Sequence, residues 1–178
     1  TLEWMQCTVA DVRTVLTELR TGQKLSNNRH EEFPPRREQA EAVDKTASYF
    51  QSIWNEDANS VPRFLWNAKM RFGKTFTSYQ LAKAMGWKRV MVLTYKPAVE
   101  DAWREDLDAH TDFEGWQFIG RGETFDKQDE NKPLVWFASF QDVLGKTHDG
   151  KVKPRVRDIL KVKWDVVILD EYHYGAWN

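Results

Sequence analysis

The sequence has little cysteine, no long hydrophobic run and almost no net charge. One cysteine, Cys7, among 178 residues excludes an internal disulfide framework and indicates a reducing compartment such as the cytoplasm. No apolar stretch approaches the ~20 residues that a membrane-spanning helix needs, and no charged-then-apolar signal segment opens the chain. We therefore expect a soluble cytoplasmic protein that has no membrane partner.

Because the net charge is close to zero, the chain as a whole does not attract nucleic acid electrostatically. Lys and Arg number 26 against 27 Asp and Glu, so no global basic field attracts nucleic acid, and any such contact must be local. Tryptophan, in contrast, is abundant. The nine Trp residues are scattered through predicted elements, which favours packing in the core over base-stacking platforms.

Two short motifs carry the most information. The first is the loop Ala68-Lys69-Met70-Arg71-Phe72-Gly73-Lys74-Thr75, which lies between an apolar run, Phe64-Leu65-Trp66, and a predicted helix from Phe76 to Met85. A strand, a loop ending in Gly-Lys-Thr and a helix, in this order, are typical of a phosphate-binding loop. The second motif is a buried-strand pattern, Val166-Val167-Ile168-Leu169, which ends in the acids Asp170-Glu171.

These residue types suit a site for a nucleoside triphosphate and Mg²⁺. The backbone N–H groups of a tight loop and the dipole of the helix that follows favour an anion. Gly73 lets the backbone approach closely, Lys74 is expected to reach the β- and γ-phosphate oxygens, and the Thr75 hydroxyl to bind Mg²⁺. Asp170 is expected to hold the same Mg²⁺ through water. Glu171 is expected to orient or deprotonate the attacking water.

Each motif alone has a simpler interpretation. A Gly-Lys-Thr after a strand can arise by chance, and Ala68 stands where the full loop pattern has glycine. An isolated Asp-Glu after an apolar strand is more often a solvated strand end than a metal site. The pair, in this order on two separate buried strands, favours the nucleotide site.

The pattern along the chain alternates strands with helices. Val9 to Arg20 is predicted as an N-terminal accessory helix, with Val9, Val12, Leu16 and Leu19 on one face, and residues 23–35 as a loop. Gln39 to Trp54 is predicted as a helix leading to the first core strand. The remaining segments are predicted as strands at 89–94, 116–119, 134–138 and 166–169, helices at 99–109 and 140–144, and surface loops at 120–132 and 145–155. This alternation predicts an α/β fold with a mainly parallel sheet, helices on both faces and ligands at the carboxyl ends of the strands.

The phosphate loop, the box Asp170-Glu171-Tyr172-His173 and the segments between them resemble the first RecA-like domain of a superfamily-two DExH helicase or translocase. The resemblance covers residues 33–178, which leaves 1–32 as an accessory helix and loop. Motor subunits of bacterial restriction systems and related mobile-element helicases are the most similar members. The resemblance implies a RecA-like P-loop NTPase fold, ATP and Mg²⁺ as cofactors, duplex or single-stranded DNA as partner, and a bacterial or phage-like cytoplasm.

The resemblance also implies roles for residues outside the two motifs. Arg36 and Gln39 match an Arg-x-x-Gln stretch in which the Gln amide recognises adenine through a paired donor and acceptor. Met70, Arg71 and Phe72 belong by position to the nucleotide-binding loop. An exposed basic start to a helix is the alternative interpretation of Arg36.

Three residues resemble the nucleic-acid contacts of the family, and one resembles its coupling residue. Thr94 and Lys96 follow a strand at the position that touches the phosphate backbone, a contact that carries no sequence information. Ser139 stands in the later segment that meets the strand backbone, although it is equally suited to cap a helix. His173 would couple the ATP site to the second domain. Its alternative is a hydrogen-bonded surface residue.

Two departures from the family pattern bear on activity. Arg71 stands where the loop usually has glycine, so either the backbone there accepts a side chain or the empty loop has a different shape. For Arg71 itself, an outward solvated side chain is favoured over a phosphate contact. The chain also stops soon after His173, before the Ser-Ala-Thr segment and the second RecA-like domain. We therefore expect a fragment that hydrolyses almost no ATP, since losing an arginine finger costs ~10³ to 10⁵ in rate.

The sequence thus predicts the ATP-binding domain of an ATP-dependent DNA helicase or translocase of restriction or mobile-element type. Its expected partners are the second RecA-like domain of the same parent chain and nuclease or methyltransferase domains or subunits. No nuclease motif is evident, because Glu100-Asp101 and Asp106-Leu107-Asp108 are assigned to the solvated face of a helix. The alternatives are a nucleotide-binding switch or scaffold without unwinding activity, and an RNA helicase.

Overall fold

A computed structural model describes residues 31–124, 129–143 and 154–170, together with Val9, Val12, Arg13, Leu16 and Arg20. Within these ranges the centre is a sheet of four strands in the order β2-β3-β1-β4. Each neighbouring pair is parallel. The strands are Arg89–Thr94 (β1), Gln117–Ile119 (β2), Leu134–Ser139 (β3) and Val166–Asp170 (β4).

The two central strands are apolar on both faces. Val92 and Phe137 are partners in register on β1 and β3, and neither is accessible to solvent. Their neighbours Met91 and Trp136 belong to a second core on the opposite face of the sheet. Because successive side chains of a strand point to opposite faces, strands that are apolar throughout need cover on both sides.

Helices cover both cores. Their bounds are Arg37–Glu56 (α1), Lys74–Ala84 (α2), Glu100–Ala109 (α3), Phe140–Val143 (α4) and Pro154–Lys161 (α5), with 3₁₀ turns at Pro97–Val99 and Thr111–Phe113. Helices α2 and α3 pack on the core that contains Val92 and Phe137. Ile159 of α5 packs on the opposite core. The predicted α/β fold, with a parallel sheet and helices on both faces, is therefore confirmed.

Helix α1 packs against α2, the helix that follows the phosphate loop. The buried residues of α1 recur every three or four positions and so form one stripe: Gln39, Val43, Thr46 and Phe50. At its far end α2 stops in a left-handed turn, where Gly86 has φ +68°. The N–H of Trp87 donates to Ala82 O (3.0 Å) and the N–H of Gly86 to Lys83 O (3.1 Å), which satisfies the last carbonyls of the helix.

The predicted first core strand is absent from the described sheet. Residues 61–69, which include Phe64-Leu65-Trp66, pair with none of the four strands. The segment runs along α1 instead: Trp66 Nε1 donates to Thr46 Oγ1 (2.8 Å), and the Phe64 ring lies 5.4 Å from that of Tyr49. The prediction was wrong because Phe64 and Trp66 pack on a helix while Leu65 is exposed, and the backbone of the segment meets no strand among the described residues.

The start of α5 differs from its prediction, whereas the described part of the N-terminal segment agrees with its own. Helix α5 begins at Pro154, in a stretch where the polar composition predicted a loop up to residue 155. In the N-terminal segment Val9, Val12 and Leu16 are helical, as predicted, and their apolar side chains are exposed. Cys7, Leu19 and the rest of that prediction lie outside the described residues.

The described Trp residues support the prediction that they serve packing. Trp103 and Trp136 are buried, and each of the others with a described position is half-buried. The structure also contains, in the ranges that it describes, no helix long and apolar enough to cross a membrane.

Candidate nucleotide site

The phosphate loop is a tight turn that leads into α2. The N–H of Phe72 donates to Lys69 O (3.2 Å), which closes the turn, and Gly73 follows in a left-handed conformation with φ +80°. The first hydrogen bond of the helix runs from Thr77 N to Gly73 O (3.0 Å). The N–H groups that precede Thr77 therefore have no acceptor within the helix, and the helix dipole favours an anion beside them.

Arg71 has the conformation that its position in the loop requires of a glycine. Its φ is +64°, and no other non-glycine residue of the described chain has a positive φ. A left-handed conformation costs an ordinary L-residue roughly 1–2 kcal/mol. The loop thus keeps its backbone shape and bears the strain. Both Arg71 and Met70 expose their side chains, which is compatible with the prediction of an outward, solvated Arg71.

The two sequence motifs meet at the carboxyl edge of the sheet. Strand β4 ends at Asp170, whose partner in register on β1 is Thr94. Asp170 Oδ1 lies 3.7 Å from Lys74 Nζ, and the side chains are 11% and 42% exposed. The end of β4 thus brings the carboxylate to the predicted phosphate-binding lysine, although the predicted burial of this strand is wrong, because Val167 and Leu169 are exposed. Glu171 and His173, the other predicted residues of the box, lie outside the described residues.

Arg36 and Gln39 reach the loop from the start of α1. Arg36 Nη2 donates to Arg71 O (3.0 Å) and also to Phe72 O. Gln39 Nε2 donates to the same Phe72 O (2.8 Å), and Gln39 Oε1 accepts from Arg36 N (2.8 Å). The structure therefore brings the predicted Arg-x-x-Gln stretch to the phosphate loop. It attaches both side chains to the loop's own backbone.

Thr75 and Asp170 form a donor set that fits Mg²⁺. Thr75 stands in the first turn of α2, directly after Lys74, and Asp170 ends the adjacent strand. Mg²⁺ prefers oxygen ligands and is usually held by one or two protein groups together with phosphate oxygens and water. No group of three or more His, Cys, Asp or Glu that could hold a metal occurs among the residues described.

The three predicted nucleic-acid residues lie along the same edge but differ in exposure. Lys96 is exposed, whereas Thr94 and Ser139 are fully buried. Thr94 Oγ1 accepts from Lys96 N (3.1 Å) and so closes the turn after β1. A phosphate contact from either hydroxyl would first require its exposure. The contact at this edge remains a prediction, with Lys96 as the side chain that solvent reaches.

Ser139 caps helix α4, the alternative left open by the sequence. Asp142 N donates to Ser139 Oγ (3.3 Å), and Ser139 N donates to Asp142 Oδ2 (2.9 Å), which together form a capping box. Arg121 completes the network through two hydrogen bonds from its guanidinium to the Asp142 carboxylate (2.6 and 3.2 Å). Burial alone would raise the pKa of Asp142, but the hydrogen bonds from Arg121 and Ser139 outweigh it and lower the pKa to about 2.

Sequence reasoning assigned no role to Asp142 or Arg121. The Ser-x-x-Asp spacing that precedes α4 was a visible sign of the capping box. Nothing in the sequence indicated Arg121, which follows β2 and meets Asp142 only through the fold.

Asp106 departs from the prediction of a solvated helix face. It is half-buried, and its pKa is raised to about 6 by burial and by the charges of Glu31 and Glu105. His110 and a hydrogen bond from the backbone N–H of Phe76 oppose this rise. Since Phe76 lies in the first turn of α2, Asp106 contacts the helix that carries the phosphate loop. Its neighbour Asp108 is exposed, as predicted.

The chain is similar in sequence to one known restriction protein and matches one family model. The chain is 38% identical over 153 residues to a putative type II restriction enzyme and methyltransferase, RM.MpnORF110P C-terminus, of Mycoplasma pneumoniae. The match covers 81% of this chain and 20% of that relative, so the chain spans about one fifth of the relative's length. No solved structure matched the chain.

A family model gives the more complete match. The model for "Type III restriction enzyme, res subunit" covers residues 32–177, which include the phosphate loop, the four strands and the acidic box. The family has the RecA-like P-loop fold and a helicase-like domain, in agreement with the parallel sheet and the loop before α2. The chain therefore belongs to the family of type III restriction enzyme res subunits.

Proposed function

We propose that this chain is the ATP-binding domain of an ATP-dependent DNA translocase or helicase that works in a restriction-type enzyme. The observation that carries the proposal is the approach of Lys74 Nζ to Asp170 Oδ1, 3.7 Å apart, at the start of α2. A loop at the start of a helix, a lysine and a strand-end carboxylate form the arrangement that binds a triphosphate with its metal ion.

In this proposal each residue of the site has a defined task. Lys74 binds the β- and γ-phosphate oxygens, while Thr75 and Asp170 hold Mg²⁺, directly and through water. Mg²⁺, when bound, supplies positive charge to the phosphate oxygens. Glu171 orients or deprotonates the attacking water. His173 couples the site to the second RecA-like domain.

The partners are proposed from the family and from the relative. A restriction enzyme and methyltransferase acts on DNA, so the relative's name supports DNA as partner and methyltransferase or nuclease domains as neighbours. Lys96, exposed at the carboxyl edge, is the proposed contact to the DNA backbone. We further propose low ATP turnover by this chain alone, because the family takes the arginine that stabilises the transition state from its second domain.

The proposal is tested first by thermal unfolding of this chain with and without Mg-ADP. Ligand binding stabilises the folded state by RT ln(1 + [L]/Kd), so ADP at ~100 Kd should contribute about 2.7 kcal/mol. The shift should vanish in Lys74→Ala and persist in Lys88→Ala, which removes an exposed lysine away from the loop. An unshifted wild type at millimolar ADP would contradict the proposal.

The second test separates a DNA motor from the alternatives. ATPase activity is measured in a chain that contains both RecA-like domains, with duplex DNA, single-stranded DNA or RNA added. Stimulation by DNA supports the translocase or helicase. Nucleotide binding without stimulation by any nucleic acid identifies a switch or scaffold, and stimulation by RNA alone identifies an RNA helicase.

A further inference from the structure

We infer that Gln39 and Arg36 are positioning residues that fix the phosphate loop, and that Gln39 does not select the base. The inference rests on the proposed nucleotide site and names the part of the ligand on which these side chains act. It predicts that their loss weakens binding of the phosphate chain whichever base is attached.

The first support is that both polar atoms of the Gln39 amide are bound to main chain. Nε2 donates to Phe72 O (2.8 Å), and Oε1 accepts from Arg36 N (2.8 Å). Because the partners are a carbonyl and an N–H, they admit one orientation of the amide. The residue is only 4% exposed. To offer a donor and an acceptor to adenine, Gln39 would have to leave both partners and its buried position.

The second support is the close fit between Gln39 and the glycine of the loop. A Cβ on Gly73 would lie 2.5 Å from Gln39 Nε2, closer than two such atoms approach. Gly73 also has φ +80°, a conformation that favours glycine. The side chain of Gln39 therefore occupies the space that the missing Cβ leaves, directly against the loop.

The third support is the effect of these contacts on the loop amides. Gln39 and Arg36 both donate to Phe72 O, and Arg36 also donates to Arg71 O. In a planar trans peptide unit the C=O and the next N–H point in opposite directions. Holding the carbonyl of Phe72 towards α1 therefore turns the N–H of Gly73 away from α1. That N–H belongs to the anion-binding loop.

The test is isothermal calorimetry with three ligands: Mg-ADP, Mg-GDP and Mg-tripolyphosphate, which has no base. We expect Gln39→Ala and Arg36→Ala to weaken all three by a similar factor, about ten-fold for the loss of one or two hydrogen bonds. The ratio of the ADP and GDP dissociation constants should stay at its wild-type value. Gln39→Met, which keeps the volume and removes both hydrogen bonds, should behave like Gln39→Ala.

Matched controls and a local readout separate positioning from loss of fold. Gln51→Ala and Arg37→Ala change exposed residues of the same helix and should leave all three affinities unchanged. Amide hydrogen exchange of Gly73 and Lys74 should accelerate in Gln39→Met while the amides of β1 and β3 keep their protection. Gln39→Glu keeps the acceptor for Arg36 N but sets an oxygen against Phe72 O, so it should not rescue binding.

The outcomes are distinguishable from failure of the proposed function. If wild type binds none of the three ligands, the nucleotide site itself is wrong. If wild type binds and Gln39→Ala or Gln39→Met weakens ADP alone, while GDP and tripolyphosphate bind as before, Gln39 reads the base and the inference is overturned.

Discussion

Lys74 and Asp170 stand 3.7 Å apart although one begins a helix near the middle of the chain and the other ends the last strand described. The distance is longer than a direct hydrogen bond, and the lysine side chain is 42% exposed. A loose, partly exposed ion pair contributes little to stability. The pair is therefore a weak structural link, which is compatible with the proposal that both groups bind the ligand.

The first prediction concerns Asp170→Asn. Because the ion pair is weak, we expect the free energy of unfolding without ligand to change by less than ~1 kcal/mol. The stabilisation by ADP should lose its dependence on Mg²⁺, since the carboxylate that is proposed to hold the ion is gone. Thermal unfolding with ADP, in MgCl₂ and in EDTA, measures this effect. Asp108→Asn, an exposed carboxylate on α3, should retain full Mg²⁺ dependence.

The second prediction concerns the left-handed backbone of Arg71. A β-branched residue is the least tolerated there, whereas glycine adopts φ +64° without strain. We expect Arg71→Val to be less stable than Arg71→Gly by about 1 kcal/mol or more in urea unfolding. Arg63 offers the matched pair, because it is exposed in the segment that runs along α1 and has no positive φ. There valine should be the more stable of the two.

The third prediction concerns the pH dependence due to Asp142. Its pKa of about 2 is below the unfolded value near 3.9, so its stabilising contribution is complete above pH ~4 and is lost as the pH falls towards 2. We expect wild type to exceed Asp142→Asn by about 1–2 kcal/mol at pH 6 and the difference to disappear near pH 2. Urea unfolding across this range tests it. A constant difference would show that the carboxylate charge is not responsible.

The fourth prediction has the opposite sign. The pKa of Asp106, about 6, is above its unfolded value, so its contribution favours folding below pH ~4 and is lost as the pH rises through 6. Asp106→Asn should therefore be more stable than wild type by about 1–2 kcal/mol at pH 7.5, since the amide can still accept from Phe76 N and carries no charge. The advantage should vanish at pH 4.

The sequence correctly predicted the strands whose apolar residue pattern follows directly from the burial of their side chains. Strand β1 was predicted with its observed bounds, Arg89–Thr94. A central strand is covered on both faces, so its sequence is a nearly continuous apolar run that is easy to recognise. The segment Phe64–Trp66 has a similar composition but lacks a strand partner in the described sheet. Composition reports that a residue will be buried, but it does not report whether a helix or a strand will cover it.

The same limit explains the candidate site. Lys74, Thr75 and Asp170 were recognisable because their chemistry is local to two motifs. The hydrogen bond from Gln39 to the loop was not recognisable, since it depends on where the carbonyl of Phe72 lies relative to α1. Likewise the raised pKa of Asp106 depends first on its burial and then on the charge of Glu31, and only the fold produces both.

The register of the parallel strands has an electrostatic consequence. Thr94 is the partner of Ser139 on one side and of Asp170 on the other, so these three residues form one row across the ends of adjacent strands. Neighbouring strands are about 4.8 Å apart, so the outer two members of the row are separated by roughly 10 Å. That span is close to the Debye length at ~0.1 M salt. Two anions bound at opposite ends of the row would therefore repel each other strongly in dilute buffer and only weakly at physiological ionic strength.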